Sequence, residues 1–112
     1  AARPGRGLPL NERARAAVLE QLPKGGVSLA TTARRLHVTP RTLQRRLEES
    51  GSSFAGLLAE VRRAQAERLL SHGDAPLAEV AEQVGYADTA AFVRAFKGWT
   101  GLTPGRFREQ SS

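Results

Sequence analysis

An internal repeat is the feature of this sequence that most constrains its fold. Residues 29–36 (LATTARRL) and residues 77–84 (LAEVAEQV) share a leading leucine, two alanines and a final aliphatic residue. One extra residue in the second copy then aligns three further pairs, which are Leu43 with Phe92, Arg45 with Arg94, and Leu47 with Phe96. Self-similarity of this kind indicates one supersecondary unit that occurs twice.

Each copy has the pattern of two short helices that cross closely. A small residue, Ala33 or Ala81, stands where the second helix must approach, and Leu36 or Val84 follows three positions later. The second helix spaces its apolar residues four apart, so that they share one face. The pattern predicts two helix-turn-helix motifs, each leaving the opposite face of its second helix free for a ligand.

Helix-terminus residues divide the whole chain into helices, while strand patterns are weak. Aromatic residues make up 5% of the sequence and no run alternates in a β-branched pattern. Good N-caps stand at Asn11, Ser28 and Thr39, and prolines or glycines close the segments. We therefore predict an all-α chain of seven helices, over residues 12–22, 29–36, 40–51, 53–72, 76–84, 88–99 and from 104 onwards.

The predicted helices group into two helix-turn-helix subdomains joined by a long linker helix. The expected organisation is a flexible leader at 1–10, a first subdomain at 11–51, the linker helix at 53–73 and a second subdomain at 74–112. A linker of about 18 residues spans roughly 27 Å, which approaches the roughly 34 Å of one DNA turn. Because the chain contains no methionine, we expect residue 1 to be a boundary or a processed end.

Charge is distributed unevenly along the sequence. The net charge is +6, which favours a polyanionic partner, although an Arg-rich composition alone would also produce it. Residues 34–46 carry five arginines and no acid, and residues 89–108 carry four basic residues and no acid. Residues 73–88 carry four acids and no Lys or Arg. Both second helices are thus basic, and a uniformly Arg-rich composition would not produce that segregation.

Several function classes find no support in the residue types. The absence of cysteine removes thiolate metal sites, disulfides and Cys nucleophiles. His37 and His72 have no companions at ligand spacing, so neither a metal nor another cofactor is expected. No Gly-rich phosphate loop or nucleophile–base grouping points to an enzyme. No apolar run reaches the roughly 20 residues of a membrane span, and we expect a cytoplasmic, nucleoid-associated protein.

Three segments carry a resemblance to a known family. Residues 85–88 (GYAD), 94–97 (RAFK) and 100–104 (TGLTP), with Phe92 and Arg108, are similar to the signature of the AraC/XylS family of bacterial transcription regulators. Residues 38–47 (VTPRTLQRRL) resemble that family's first recognition helix. Its linker helix is matched by four residues, which are Arg62, Ala66, Leu69 and Leu70.

The resemblance implies a function and a set of partners. It implies sequence-specific binding of double-stranded promoter or operator DNA, with two recognition helices in successive major grooves. It also implies transcription activation through contact with RNA polymerase, and a missing N-terminal effector or dimerisation domain. A basic helical module that binds RNA or an acidic protein stays open as the alternative, although specific RNA binding usually needs exposed aromatic rings.

Candidate DNA contacts follow from the free faces of the two second helices and from the family's recognition positions. The base-contacting residues are predicted to be Arg41, Thr42, Gln44, Arg45, Thr89, Ala90, Val93 and Arg94. The phosphate contacts are predicted at Arg46, Lys97 and Arg106, and at the helix N-termini after Thr39 and Thr103. Ordinary surface charge explains each basic residue about equally well, and Ala90 and Val93 could equally contact only sugar.

Two further predictions concern structure rather than ligand contact. His37 occupies the turn position that Gly85 fills in the second copy, so we expect a positive φ angle there. The aromatic residues are expected to form the second core rather than a base-stacking surface, at Phe92, Phe96, Trp99 and Phe107. In the linker helix, core positions are expected at Phe54, Leu57, Leu58 and Val61.

Overall fold

The computed structural model describes residues 9–111, and these contain seven α-helices, one short 3₁₀ helix and no strand. The helices are α1 (Leu10–Gln21), α2 (Leu29–Arg35), α3 (Pro40–Glu49), α4 (Phe54–Ser71), α5 (Leu77–Gln83), α6 (Thr89–Thr100) and α7 (Pro104–Ser111). The 3₁₀ helix is Leu22–Lys24. The all-α fold is as predicted, whereas most of the expected leader at 1–10 lies outside the described residues.

The chain divides into two compact units. The first contains the residues up to Gln21 together with Gly26–Val61, and the second contains Leu22–Gly25 together with the residues from Arg62 onwards. The division therefore passes through α4, whose 18 residues contribute to both units. The 3₁₀ helix, which the sequence places in the first subdomain, belongs to the second unit, where it contacts α5.

In the first unit, α1 packs against α2 and α3 around small and aliphatic side chains. The buried apolar residues are Ala14, Ala17, Val18, Ala33, Leu36, Leu43, Leu47, Leu57 and Val61. Of the four predicted linker-helix core positions, Leu57 and Val61 are buried, while Phe54 and Leu58 are half-buried. This core fixes the apolar face of α3 and leaves its other face outside.

Two polar side chains, Gln21 of α1 and Thr32 of α2, are buried together, and the sequence does not reveal this. The Gln21 amide nitrogen donates to the Ala17 carbonyl and to Thr32 Oγ1, both at 3.0 Å. The Thr31 hydroxyl donates to the side-chain amide oxygen Oε1 of Gln21 at 2.6 Å. Satisfied in this way, the amide avoids the roughly 1–3 kcal/mol that an unpaired buried polar group costs.

The second unit has an aromatic core, as the spacing predicts. Phe92 and Phe96 are fully buried, and Trp99 and Phe107 pack against them. Neighbouring ring centroids lie 5.3 to 6.3 Å apart in tilted or edge-on arrangements, within the favourable range for aromatic pairs. The aromatic rings therefore build this core, and the prediction of a core role is confirmed.

Side-chain caps begin the helices at most of the predicted positions. Ser28 forms a capping box with Thr31, Thr39 caps α3 ahead of Pro40, and Asp88 caps α6 with a 2.7 Å bond from the Ala91 N–H. The predicted cap at Asn11 is wrong. Helix α1 begins at Leu10, one residue before Asn11, because the Pro9 carbonyl already accepts from the Glu12 and Arg13 N–H groups.

The two copies have the same backbone turn. His37 has a φ angle of 58°, as predicted, and Gly85 has a φ angle of 87°. Directly after them, the Val38 N–H donates to the Ala33 carbonyl at 3.1 Å, and the Tyr86 N–H donates to the Ala81 carbonyl at 2.9 Å. These bonds satisfy carbonyls that the helix end leaves open. The repeat seen in the sequence is therefore a repeat of backbone geometry.

The two turn residues should respond differently to substitution. His37→Gly should change the free energy of unfolding by less than about 1 kcal/mol, because relief of the positive φ offsets the added freedom of the unfolded chain. Gly85→Ala should destabilise by roughly 1–2 kcal/mol or more. A Cβ at Gly85 has the same unfavourable φ and meets the Leu22 carbonyl oxygen at 3.2 Å.

Urea unfolding of the two variants beside the wild type measures this difference. A large loss of stability in His37→Gly would show that the imidazole itself holds the turn.

Candidate nucleic-acid interface

Helix α3 presents three of its predicted base-contacting side chains on one exposed face. Leu43 and Leu47 are buried on the opposite side, 0% and 1% exposed, and so fix the rotation of the helix. Arg41, Gln44 and Arg45 are exposed, and all three border one open surface depression together with Glu48. The structure thus brings these predicted residues together, on a face that is free to meet a ligand.

Thr42 is placed differently from its neighbours. It is half-buried, and its hydroxyl accepts a 2.9 Å hydrogen bond from Thr39, the N-cap of the same helix. The Thr42 N–H in turn donates to the Thr39 hydroxyl at 3.1 Å. Both groups take part in the cap, so Thr42 contributes to the start of the helix as well as to its outer surface.

Glu48 is a member of the exposed face that the site prediction did not include. The Gln44 amide nitrogen donates to a Glu48 carboxylate oxygen at 3.2 Å, one helical turn away. The amide oxygen of Gln44 and its second N–H take no part in that bond and keep their capacity to bind a base edge. The i, i+4 spacing in the sequence would have identified this pair.

Arg46 lies on a different side of α3. It borders a second depression, which is lined by Pro9, Leu10, Asn11, Glu49 and Ser50. Arg46 is therefore separated from the face that carries Arg41, Gln44 and Arg45, although it is adjacent to Arg45 in sequence.

Helix α6 presents a less polar outer face than α3. Ala90, Arg94 and Lys97 are exposed at positions that share one side of the helix. Thr89 and Val93 are half-buried next to this strip. Val93 occupies the position that Gln44 has in the first copy, so the second helix lacks the amide that the first one offers.

The helix N-termini after Thr39 and Thr103 offer few backbone donors. Thr103 caps α7 by accepting from the Arg106 N–H at 3.3 Å, much as Thr39 caps α3. Pro40 and Pro104 stand at the first helical positions and have no N–H group. Any phosphate contact there depends on one or two N–H groups and on the exposed Arg106 side chain.

The basic residues of the predicted interface differ in their partners from three other arginines of the chain. Arg15, Arg35 and Arg63 form ion pairs with Glu60, Glu20 and Glu67 at 3.0 to 3.5 Å. Within residues 9–111, no carboxylate pairs with any of the six predicted cations, which are Arg41, Arg45, Arg46, Arg94, Lys97 and Arg106. Their charge is available to a polyanion without the cost of breaking an ion pair.

The described part of the chain offers neither a metal-binding cluster nor a membrane-spanning helix. Across residues 9–111, no group of three or more His, Cys, Asp or Glu side chains is arranged to hold a metal ion. None of the helices in this range combines the length and apolar character that a membrane crossing requires.

Two arginines contact the turns between the helices, and sequence reasoning predicted neither contact, although Arg62 was matched to the family's linker helix. Arg13 Nη2 donates to the Leu36 carbonyl at 3.5 Å, and the Arg62 guanidinium lies 5.0 Å from the centre of the Tyr86 ring. Each contact joins residues more than 20 positions apart, so no local periodicity indicates it.

Comparison with known proteins gives a consistent family. Residues 32–110 match the model of a family described as a helix-turn-helix domain. The HTH-type transcriptional regulator VirS of Mycobacterium tuberculosis is 37% identical over 99 residues, which cover 88% of this chain and 29% of VirS. The chain spans less than a third of the length of the first curated relatives that it matches, 28% and 29%.

Solved structures share the arrangement. A DNA-binding transcriptional dual regulator from Escherichia coli K-12 is similar with a TM-score of 0.85 at 25% identity, over 96% of each chain. The DNA-binding domain of AdpA, solved in complex with a target DNA, is similar with a TM-score of 0.72 at 29% identity, over 89% of this chain and 90% of that domain.

The family match covers more than half of the chain and agrees with the repeated motif, the caps and the turns described above. The chain belongs to the AraC-type family of helix-turn-helix transcription regulators.

Proposed function

We propose that this chain binds double-stranded DNA sequence-specifically, as the DNA-binding part of a bacterial transcription regulator. The observation that carries the proposal is the outer face of α3, where Arg41, Gln44 and Arg45 are exposed together on a helix whose other face is buried. Arginine and glutamine are the side chains that bind guanine and adenine edges bidentately in the major groove. The DNA complex of the similar AdpA domain supports the same ligand class.

We assign different modes of base contact to the two helices. Helix α3 contacts its DNA box through hydrogen bonds from Arg41, Gln44 and Arg45. Helix α6 contacts a second box through Arg94 and through apolar contacts of Ala90 and Val93, for which thymine methyl groups are the matching surface. Thr42 and Thr89 are assigned supporting contacts at the N-terminal ends of these helices.

Phosphate contacts would set the register of the domain on the duplex. Arg46 fits this role because it lies away from the base-contacting face of α3. Lys97 on α6, exposed Arg106 on α7 and the N–H groups after Thr39 and Thr103 complete the proposed set. Contacts of this kind supply affinity that falls with salt and carries no base preference.

The rings of the second unit argue against the RNA-binding alternative. Tyr86, Phe92, Phe96 and Trp99 pack against one another rather than forming an open surface on which bases could stack. We therefore assign no RNA-binding role.

Further partners belong to the full-length protein. Because the curated relatives are more than three times as long as the matched segment, we propose that an effector or dimerisation domain precedes these residues. We also propose that the regulator activates transcription through contact with RNA polymerase. Because the proposed ligand is bacterial DNA, we also propose that the protein is located on the nucleoid in the cytoplasm.

Selection from a random duplex library should recover two short boxes about 10 bp apart. The expected spacing is the one predicted from the length of the linker helix, whose 18 residues span roughly 27 Å. Titration of the selected duplex against a scrambled one, at two salt concentrations, gives the specificity ratio. A single box of four or five base pairs would contradict two-groove binding, and equal binding to any polyanion would contradict the proposed function.

Two adjacent arginines provide a matched pair of variants. Arg45→Ala should reduce the preference for one base pair in the first box by about 1–3 kcal/mol, because a bidentate base contact is lost. Arg46→Ala should weaken binding to all duplexes alike and lower the salt slope by about 1. Competition titrations with singly substituted duplexes distinguish the loss of one base preference from uniform weakening. Uniform weakening by Arg45→Ala would make it a phosphate contact.

The valine at position 93 of α6 can be replaced by glutamine, the residue that α3 carries at the equivalent position. Val93→Gln should create a new preference for adenine in the second box, worth about 1–3 kcal/mol if the amide binds bidentately. Repeating the library selection with this variant measures the change, and Val93→Ala serves as the control without an amide. An unchanged second box in Val93→Gln would show that residue 93 does not face the bases.

A further inference from the structure

Arg13 and Arg62 occupy equivalent places in the repeat. They are 49 positions apart, the same separation that aligns Leu43 with Phe92 and Leu47 with Phe96. One turn further along each helix, buried Ala17 corresponds to buried Ala66 at the same separation. The repeat therefore includes a third helix in each copy, which is α1 in the first unit and the later part of α4 in the second.

In the first unit, the equivalent arginine holds the turn by a hydrogen bond. Half-buried Arg13 donates from Nη2 to the carbonyl of Leu36, the residue directly before His37 with its positive φ angle. Leu36 is also the C-cap of α2, whose last carbonyls lack helical partners. The cation thus contacts the point at which the chain turns from α2 towards α3.

In the second unit, the equivalent arginine holds the turn through an aromatic ring. The Arg62 guanidinium lies 5.0 Å from the centre of the Tyr86 ring, and its Nη2 would be 3.5 Å from a Cβ placed on Gly85. Arg62 Nε is buried and has no hydrogen-bond partner among residues 9–111. The ring face offers the attraction that compensates part of this lost solvation.

Tyr86 links Arg62 to the second recognition helix, because its ring also packs against two residues of α6. Its ring centre lies 5.9 Å from that of Phe92 and 6.2 Å from that of Trp99, and both of these residues belong to α6. The Tyr86 N–H is bonded to the Ala81 carbonyl of α5. Arg62, Tyr86 and the start of α6 therefore form one continuous set of contacts within the second unit.

We propose that Arg13 and Arg62 are equivalent positioning residues, each of which holds the turn of its own helix-turn-helix and so the orientation of its own recognition helix. Neither is assigned a contact with DNA. The inference rests on the proposed DNA binding for its effect on specificity, whereas its structural part can be measured without DNA.

Reciprocal variants test the proposal. Arg62→Met retains an unbranched apolar stem and removes the cation. It should reduce discrimination against a scrambled second box by roughly threefold to thirtyfold and leave discrimination at the first box unchanged. Arg13→Met should show the reverse pattern. The matched control is Arg63→Met, which removes a neighbouring exposed charge from the same helix and should behave as the wild type.

Conservative substitutions separate positioning from general stability. Arg62→Lys should recover part of the discrimination at the second box, because an ammonium group also binds a ring face. If Arg62→Met does not fold, variants of Tyr86, whose ring Arg62 contacts, replace it in the test. Tyr86→Phe should then match the wild type, and Tyr86→Leu should lose discrimination at the second box alone.

Three results would overturn the proposal. The first is an equal loss at both boxes in each variant, which would indicate general destabilisation. The second is weakening that is independent of box sequence, which would make the arginines phosphate contacts. The third is wild-type behaviour of Arg62→Met, or of Tyr86→Leu where that variant replaces it.

A measurement without DNA separates this proposal from the proposed function. Trp99 is the single tryptophan and lies against Tyr86, so its emission reports on the contact between the turn and α6. Arg62→Met should shift this emission and speed amide hydrogen exchange in α6, while Arg63→Met should change neither. If the wild type shows no base preference, DNA recognition fails, and unchanged emission and exchange in Arg62→Met would independently overturn the positioning role.

Discussion

The left-handed turn between the two helices of each copy is the constraint on which the rest of the structure depends. His37 and Gly85 adopt positive φ angles there, and the next residue's N–H closes a bond back to Ala33 or Ala81. This geometry turns the chain through a short, defined bend, so that the second helix packs on the first. Once that packing is set, apolar residues four positions apart must face the core, and the remaining face of the second helix is left to solvent.

The same backbone supports two different chemistries. In the first unit the core is aliphatic, and α3 carries arginines and an amide on its outer face. In the second unit the core is aromatic, and α6 carries Ala90, Val93 and Arg94. Under the proposed function, the first unit supplies directional hydrogen bonds and the second supplies one cation and apolar contacts. The duplicated fold would thus bind an asymmetric site without needing a second chain.

The two arginines that contact the turns also form different kinds of contact in the two units. Where the first unit offers a backbone carbonyl at Leu36, Arg13 forms a hydrogen bond, and where the second unit offers the ring of Tyr86, Arg62 forms a cation–π contact. Both solutions place a cation from the preceding helix at the same point of the repeat. Such anchoring matters under the proposed function, since base contacts require the recognition helix to be held to within a fraction of an ångström.

The sequence by itself determined the helices and most of their caps, because these depend on residues within about five positions of one another. It also determined the positive φ angle of His37, because the internal repeat aligns this residue with Gly85. It also determined which face of α3 and α6 is polar, through the four-residue spacing of Leu43 with Leu47 and of the corresponding phenylalanines. Only the tertiary structure decided that Gln21 is buried with partners, that Leu22 belongs to the second unit, and that Arg13 reaches the Leu36 carbonyl 23 residues away. These features depend on which helices pack together, and local periodicity carries no information about contacts between distant segments.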